Sequence, residues 1–253
     1  MKFGTLRDGG RDGRLVVVSR DVTQASDARH LAPTLQRALD DWDAVSPALL
    51  LIARGVEAGA QPVGRFHERE AMAPLPRAYQ WIEDDGGAPR WRVSEGFAMP
   101  RSGMTAGEVA AGVAVILGDV ALGAGPAEAA AAIRLVTLVQ TSADGGAAFS
   151  PVAVTPDELG AGWDGSRLST PPAVEVNGRP VEVGAPVTDF VALIVQAARE
   201  RALPAGTVVG SRAIGRWLLG PGDRCRVELR DGAGHSILGA IERAVETANV
   251  AAA

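Results

Sequence analysis

Side chains able to do acid–base or nucleophilic chemistry are scarce in this sequence. Among its 25 basic residues the only lysine is Lys2, and there is one cysteine (Cys225), one tyrosine (Tyr79) and three histidines, His30, His67 and His235. A disulfide framework or a cysteine-based zinc site within one chain is excluded. A Schiff-base or general-base lysine would have to be Lys2, and a three-histidine metal site would use every histidine in the protein. Long apolar runs are missing too. Val113–Leu117 and Phe190–Val195 fall far short of the roughly 20 residues that span a membrane. The opening MKFGTLRDGGRDGR is polar and glycine-rich, without the apolar core of a secretion signal. A net charge of −5 without a basic run argues against a nucleic-acid partner. The expectation is a soluble, cytoplasmic protein with one large domain, or a large domain plus a small one.

The pattern that is present reads as α+β, mostly β. Phe3–Arg7 and Leu15–Val18 flank a turn-rich Asp8–Gly13, a hairpin signal. Leu35, Leu39, Trp42 and Val45 form one helical stripe behind Pro33 and Thr34, and a second helix is expected over Pro47–Val56. Prolines at 62, 74 and 76 mark a connection, which places a domain boundary at residues 73–74. Gly112–Val120 reads as a buried strand, and Pro126 as the first turn of a helix through Ile133. Asn177-Gly178 sits between alternating residues as a hairpin turn. Phe190, Leu193, Ile194, Ala197 and Ala198 make a helical stripe. From 224 to 230, Cys225, Val227 and Leu229 alternate with Arg226, Glu228 and Arg230. Low complexity is confined to Ala127–Ala132 and the tail Ala251–Ala253. No Ser/His/Asp set or phosphate-cradling Gly-Lys motif is readable.

Several phrases resemble bacterial members of the fumarylacetoacetate hydrolase family. They are Lys2–Val18, Ala32-Pro-Thr-Leu-Gln36 through Leu39-Asp-Asp-Trp42, Pro74-Leu-Pro-Arg-Ala-Tyr-Gln-Trp81 and Ile133-Arg-Leu-Val136. Phe149-Ser-Pro-Val-Ala-Val-Thr-Pro-Asp-Glu-Leu159, Ala205-Gly-Thr-Val-Val-Gly-Ser211 and Ser236-Ile-Leu-Gly-Ala-Ile-Glu242 follow in the same order. The resemblance implies a small N-terminal α/β domain (1–73) and a C-terminal mixed β-sandwich roll (74–253). It also implies a dimer. Relatives of this kind hold Mg²⁺, Mn²⁺ or Ca²⁺ with carboxylates and cleave, decarboxylate or isomerise diketo acids.

The chain departs from that pattern where the chemistry sits. Ala110 and Gly112 stand where the family carries its Glu-x-Glu metal pair, and Gln140-Thr141 replaces an Asn-Asp pair. Alanine and glycine side chains offer no oxygen to a hard cation, so no metal cofactor is expected. Glu83–Arg92 leads to Pro100 through a shortened segment without histidine. Ser142–Ala148, with Asp144-Gly-Gly146 read as a turn, replaces a catalytic loop, and Gly210-Ser-Arg-Ala213 lacks the substrate-facing threonine.

The residues left for chemistry are Tyr79, Glu108 and Arg212, with Arg77, Gln140, Thr141 and Ser211 as substrate contacts. Each also has an ordinary reading: Tyr79 as a packed aromatic, Glu108 as a solvated strand end, Arg212 as a surface charge. Gln140 and Thr141 could simply fill vacated space. Two functional classes follow. One is a repurposed, metal-independent isomerase, cyclase or lyase for a carbonyl-rich small molecule. The other is a non-catalytic homologue that binds a carbonyl or carboxylate ligand, as a homodimer or as the partner subunit of a complete family member.

Overall fold

The computed structural model describes residues 1–92, 103–142 and 145–246. Pro100, Asp144 and the tail Ala251–Ala253 lie outside them. Two sheets carry the fold. In the larger, the strands run in the order 64–65, 24–27, 14–18, 2–6, 152–154, 133–142, 107–117, 208–210, 81–84 and 89–92. Ala71–Met72, Ala147–Phe149 and Gly215–Leu219 attach as side pairings. The smaller sheet orders 179–181, 173–176, 224–230, 236–245 and 103–104.

Strand alternation explains how the layers meet, because successive side chains leave opposite faces. Leu15 and Val17 pack under the N-terminal helices, whereas Val16 and Val18 face the other core, shared with the smaller sheet. Helices α1 (Leu35–Asp40) and α2 (Trp42–Glu57) cover the first face. Helices α3 (Pro126–Ala132) and α4 (Phe190–Ala198) pack into the second core beside Cys225, Val227 and Leu229. The mostly β, mixed-sheet architecture expected from the sequence is the one observed.

The helix break differs from expectation. Thr34 caps α1 by accepting from the Arg37 N–H, and the chain bends at Asp41, not before Pro47. Trp42 then packs edge-on to Phe3 at 5.8 Å, so α2 turns to lay Leu49, Ile52 and Val56 on the sheet. Pro47 sits inside α2. The Asn177-Gly178 turn holds, with φ of 54° and 73° as a two-residue hairpin requires. Glu228, on the charged face of its strand, is nonetheless buried, clamped by Arg226 at 3.2 Å and Arg230 at 2.7 Å.

Lys2 is also buried, only 5% exposed. Its ammonium donates to the Ile237 carbonyl at 2.6 Å, tying the N-terminal strand to the smaller sheet. Among the described residues no helix is long and apolar enough to cross a membrane.

Candidate cleft

The strand Gly107–Leu117 forms the floor of the candidate site. On one side it pairs with Ile133–Ser142, which sets Thr141 opposite Ala110 and Val139 opposite Gly112. On the other it pairs first with Gly215–Leu219, setting Arg216 opposite Ala110, and then with Val208–Gly210. Directly opposed side chains on one face lie about 4.5–5.5 Å apart at Cβ. Thr141, Ala110 and Arg216 therefore make a row across the floor, with Glu108 and Gly112 on either side of it along the strand.

Between Val208–Gly210 and Gly215–Leu219 the chain loops over Gly112. The Ser211 N–H donates to the Val113 carbonyl at 2.7 Å and the Ile214 N–H to the Ala111 carbonyl at 2.8 Å. Ser211 Oγ accepts from the Val113 N–H at 3.0 Å and donates to the Arg212 carbonyl at 2.8 Å. A Cβ placed on Gly112 would stand 2.9 Å from that hydroxyl. The hydroxyl occupies the space a side chain at 112 would need.

One wall of the cleft is the hairpin Trp81–Asp84 and Pro89–Arg92, turned through Gly86-Gly87. Glu83 is held by Arg90 at 2.6 Å and Arg92 at 2.9 Å. The Arg92 guanidinium lies 4.2 Å from the centroid of the Trp81 ring, a cation–π contact, and reaches the Gly145 carbonyl at 3.3 Å. Floor and wall enclose a cleft of about 570 Å³, lined by Thr141, Glu108, Ser211, Arg212 and Arg216 among others. Arg216 pairs with Glu108 at 2.8 Å. Arg212 approaches Asp84 at 3.8 Å.

Four of the seven sequence candidates thus come together: Glu108, Thr141, Ser211 and Arg212. Three do not. Tyr79 does not line the cleft, and at 65% exposure it is not a packed aromatic either. Arg77 pairs with Asp12 on the N-terminal hairpin turn, and that hydrogen bond holds the Asp12 carboxyl below its ordinary range. Gln140 is fully buried and lies on the far face of its strand, against the Cys225 thiol. Burial there pushes the thiol up to about 11, which removes it as a nucleophile near neutral pH. The error at Gln140 is one of strand parity, since neighbours in a strand face opposite ways.

The sequence reading also passed over Glu83, Asp84, Arg90, Arg92 and Arg216, all of which line the cleft. A signal existed. Acidic Glu83–Asp85 and basic Arg90 and Arg92 flank Gly86-Gly87, the charge pattern of a cross-paired hairpin.

Residues 1–77 match the sequence model of fumarylacetoacetase N-terminal domain 2. No curated protein matches the chain in sequence. In fold it is similar to maleylpyruvate hydrolase from Sphingobium sp. SYK-6, with a TM-score of 0.74 at 15% identity over 97% of this chain and 99% of that one. A structure of that hydrolase with manganese(II) and pyruvate gives 0.69 at 14%, over 97% and 99%. Fumarylacetoacetate hydrolase from psychrophilic Exiguobacterium antarcticum follows at 0.65 and 18%, over 98% and 99%. The 5-carboxymethyl-2-hydroxymuconate delta-isomerase from Mycobacterium smegmatis aligns at 0.59 and 14%, over 97% and 98%. At such identities the structural likeness is one of fold. Residues 1–77 thus carry a fumarylacetoacetase N-terminal domain 2, and the fold of the whole chain is shared with fumarylacetoacetate and maleylpyruvate hydrolases.

The divalent metal that this resemblance implies does not fit the residues present. Ala110 contributes no donor, and a side chain at 112 meets Ser211. Among the described residues no group of three or more His, Cys, Asp or Glu side chains could hold a metal. The carboxylates Glu83 and Glu108 are engaged by arginines instead.

Proposed function

We propose that this protein has lost metal-dependent C–C hydrolysis and acts, without a metal, on a carbonyl-rich small molecule bearing a carboxylate. The reaction would be of the isomerase, cyclase or lyase type. The observation that carries this reading is an open cleft around Ala110 and Gly112, where the resemblance puts the family's metal ligands. Cationic side chains, Arg212 and Arg216, now border that floor. Guanidinium groups recognise carboxylates through two parallel hydrogen bonds. Holding a reactive conformer in place is worth up to about 7–11 kcal/mol of barrier in favourable cases. Thr141 and Ser211 are the hydroxyl groups at the same floor, and Glu108 is its carboxylate.

A second reading, a binding protein or the partner subunit of a complete family member, is favoured by a specific feature. Glu108 and Ser211 are both already committed, to Arg216 and to the backbone of Val113 and Arg212. We further propose a cytoplasmic homodimer, with residues 1–73 and 74–253 as its two domains; the family match ending at residue 77 supports that division.

Pyruvate serves as a minimal probe. Thermal melting with millimolar pyruvate, with and without Mg²⁺, Mn²⁺ or EDTA, should show stabilisation by pyruvate that is indifferent to metal and chelator. Stabilisation by metal alone would overturn the reading. NMR of diketo acid mixtures incubated with the protein separates the two classes, since turnover identifies an enzyme and unaltered spectra a binder.

A further inference from the structure

The four arginines that line the cleft among the described residues are not equivalent. Arg90 and Arg92 hydrogen-bond Glu83 at 2.6 and 2.9 Å, and Arg216 hydrogen-bonds Glu108 at 2.8 Å. Among the described residues the carboxylate nearest Arg212 is Asp84, and at 3.8 Å it is beyond hydrogen-bond reach. Asp84 itself is spoken for. Its side chain is 5% exposed, one oxygen accepts from the Gly87 N–H at 2.6 Å, and the other accepts from the Thr188 hydroxyl at 2.6 Å. That same Thr188 hydroxyl accepts from the Arg212 N–H at 2.9 Å. The Arg212 backbone is therefore fixed through a buried hydroxyl to a buried carboxylate, while its side chain is 48% exposed and, among the described residues, its donor fork stays open. Thr188 adjoins Asp189, which caps α4 by accepting from the Ala192 N–H at 2.9 Å, so the anchor is itself rigid.

We propose that Arg212 is the carboxylate-receiving group of the cleft, and that Thr188 and Asp84 are its positioning residues. This rests on the reading of the cleft as a metal-independent site for a carboxylate-bearing molecule. Asp84 supplies enough negative charge to hold the guanidinium over the cleft, yet both its oxygens are satisfied elsewhere. A ligand carboxylate therefore meets a preorganised fork without first breaking a hydrogen-bonded ion pair. At Arg216 the same carboxylate would have to compete with Glu108, already bonded to one of its nitrogens. Planar, bidentate pairing is a property of arginine that lysine does not share.

Arginine-directed labelling with phenylglyoxal, read peptide by peptide by mass spectrometry, tests this on the intact protein with pyruvate as the probe. Arg212 should label at least threefold faster than Arg216, and saturating pyruvate should slow Arg212 at least threefold while leaving Arg216 within twofold. Thr188→Val should weaken pyruvate protection of Arg212 about tenfold in concentration, and Thr188→Ser should stay within twofold of wild type. Thr188→Ala, which adds no bulk in a buried site, is read in the same way if the valine variant fails to fold. The unchanged labelling of Arg216 in each sample separates a positioning role from general loosening.

If pyruvate neither raises the melting temperature nor protects any arginine, the reading of the cleft falls and this assignment with it. If pyruvate stabilises the protein but protects Arg216 instead, or if the valine and alanine variants match wild type, the cleft reading stands and the assignment to Arg212 and Thr188 is overturned.

Discussion

The hydroxyl of Ser211 and the missing side chain of Gly112 occupy one another's space: a Cβ at 112 would lie 2.9 Å from Ser211 Oγ. The two positions should therefore behave as a coupled pair. Gly112→Ala alone forces the Ser211 loop to move and should cost about 1–3 kcal/mol, the usual range for overpacking. Combined with Ser211→Gly, which vacates the space, the loss should be smaller than the sum of the single losses by about 1 kcal/mol or more. A double-mutant cycle by urea denaturation checks this, and strictly additive losses would show that the two groups do not compete.

The ion pair between Arg216 and Glu108 is open to solvent on both sides. Its geometry is good, but exposed pairs contribute little. Glu108→Ala should change the unfolding free energy by no more than about 1 kcal/mol. Chemical denaturation in low and high salt measures it. A loss above about 2 kcal/mol would mean the pair is shielded in a way its exposure does not indicate.

Burial pushes the Lys2 ammonium below its ordinary range, against the opposing charges of Glu158, Asp231 and Glu57. The unfolded lysine titrates near 10.4, so between the two values the unfolded chain binds more protons than the folded one. Stability relative to Lys2→Met should rise with pH across that window. Urea midpoints of both proteins from pH 7 to 10.5 provide the comparison, and a difference that stays flat or falls would contradict the burial.

Glu228 has a linkage of the same sign in an acidic window. Burial raises its carboxyl, but the hydrogen bond from Arg230 and the charge of Arg226 outweigh that and bring it below the ordinary range. Its contribution is present above the unfolded carboxylate value and is lost as pH falls through the folded one. Glu228→Gln should cost about 1–3 kcal/mol near neutral pH, the range for hydrogen bonds to a charged group. Denaturant curves at pH 7 and pH 3 should show that penalty shrinking in acid, and an equal penalty at both would contradict it.

The framework was legible in the sequence because local pattern and tertiary packing agree. Leu15–Val18, Asn177-Gly178 and the Phe190–Ala198 stripe each carry a period or a turn residue that admits one geometry. The helix break at Asp41 was hidden because Leu35 to Val45 keeps helical spacing through it. What moves the break is Trp42 seated on Phe3, a contact between distant segments. The cleft was legible where a strand's own numbering places a side chain, as for Thr141 and Glu108. It was illegible where charge pairing across loops decides, as for Glu83 with its two arginines and Asp84 with Thr188. Tyr79 misled because a lone aromatic beside prolines reads as packing, whereas its ring is turned to solvent.

The lone lysine gives the folded protein an unusual chemical silence. With its Nζ bonded to the Ile237 carbonyl and shut inside, the folded chain offers amine-reactive esters and aldehydes no accessible lysine amine to modify. Conversion of Lys2 by such a reagent can proceed only from molecules in which the N-terminal strand has come away from the smaller sheet. A mass increment located on the Lys2 side chain, as distinct from the neighbouring Met1 α-amine, thus becomes an intrinsic clock for that opening.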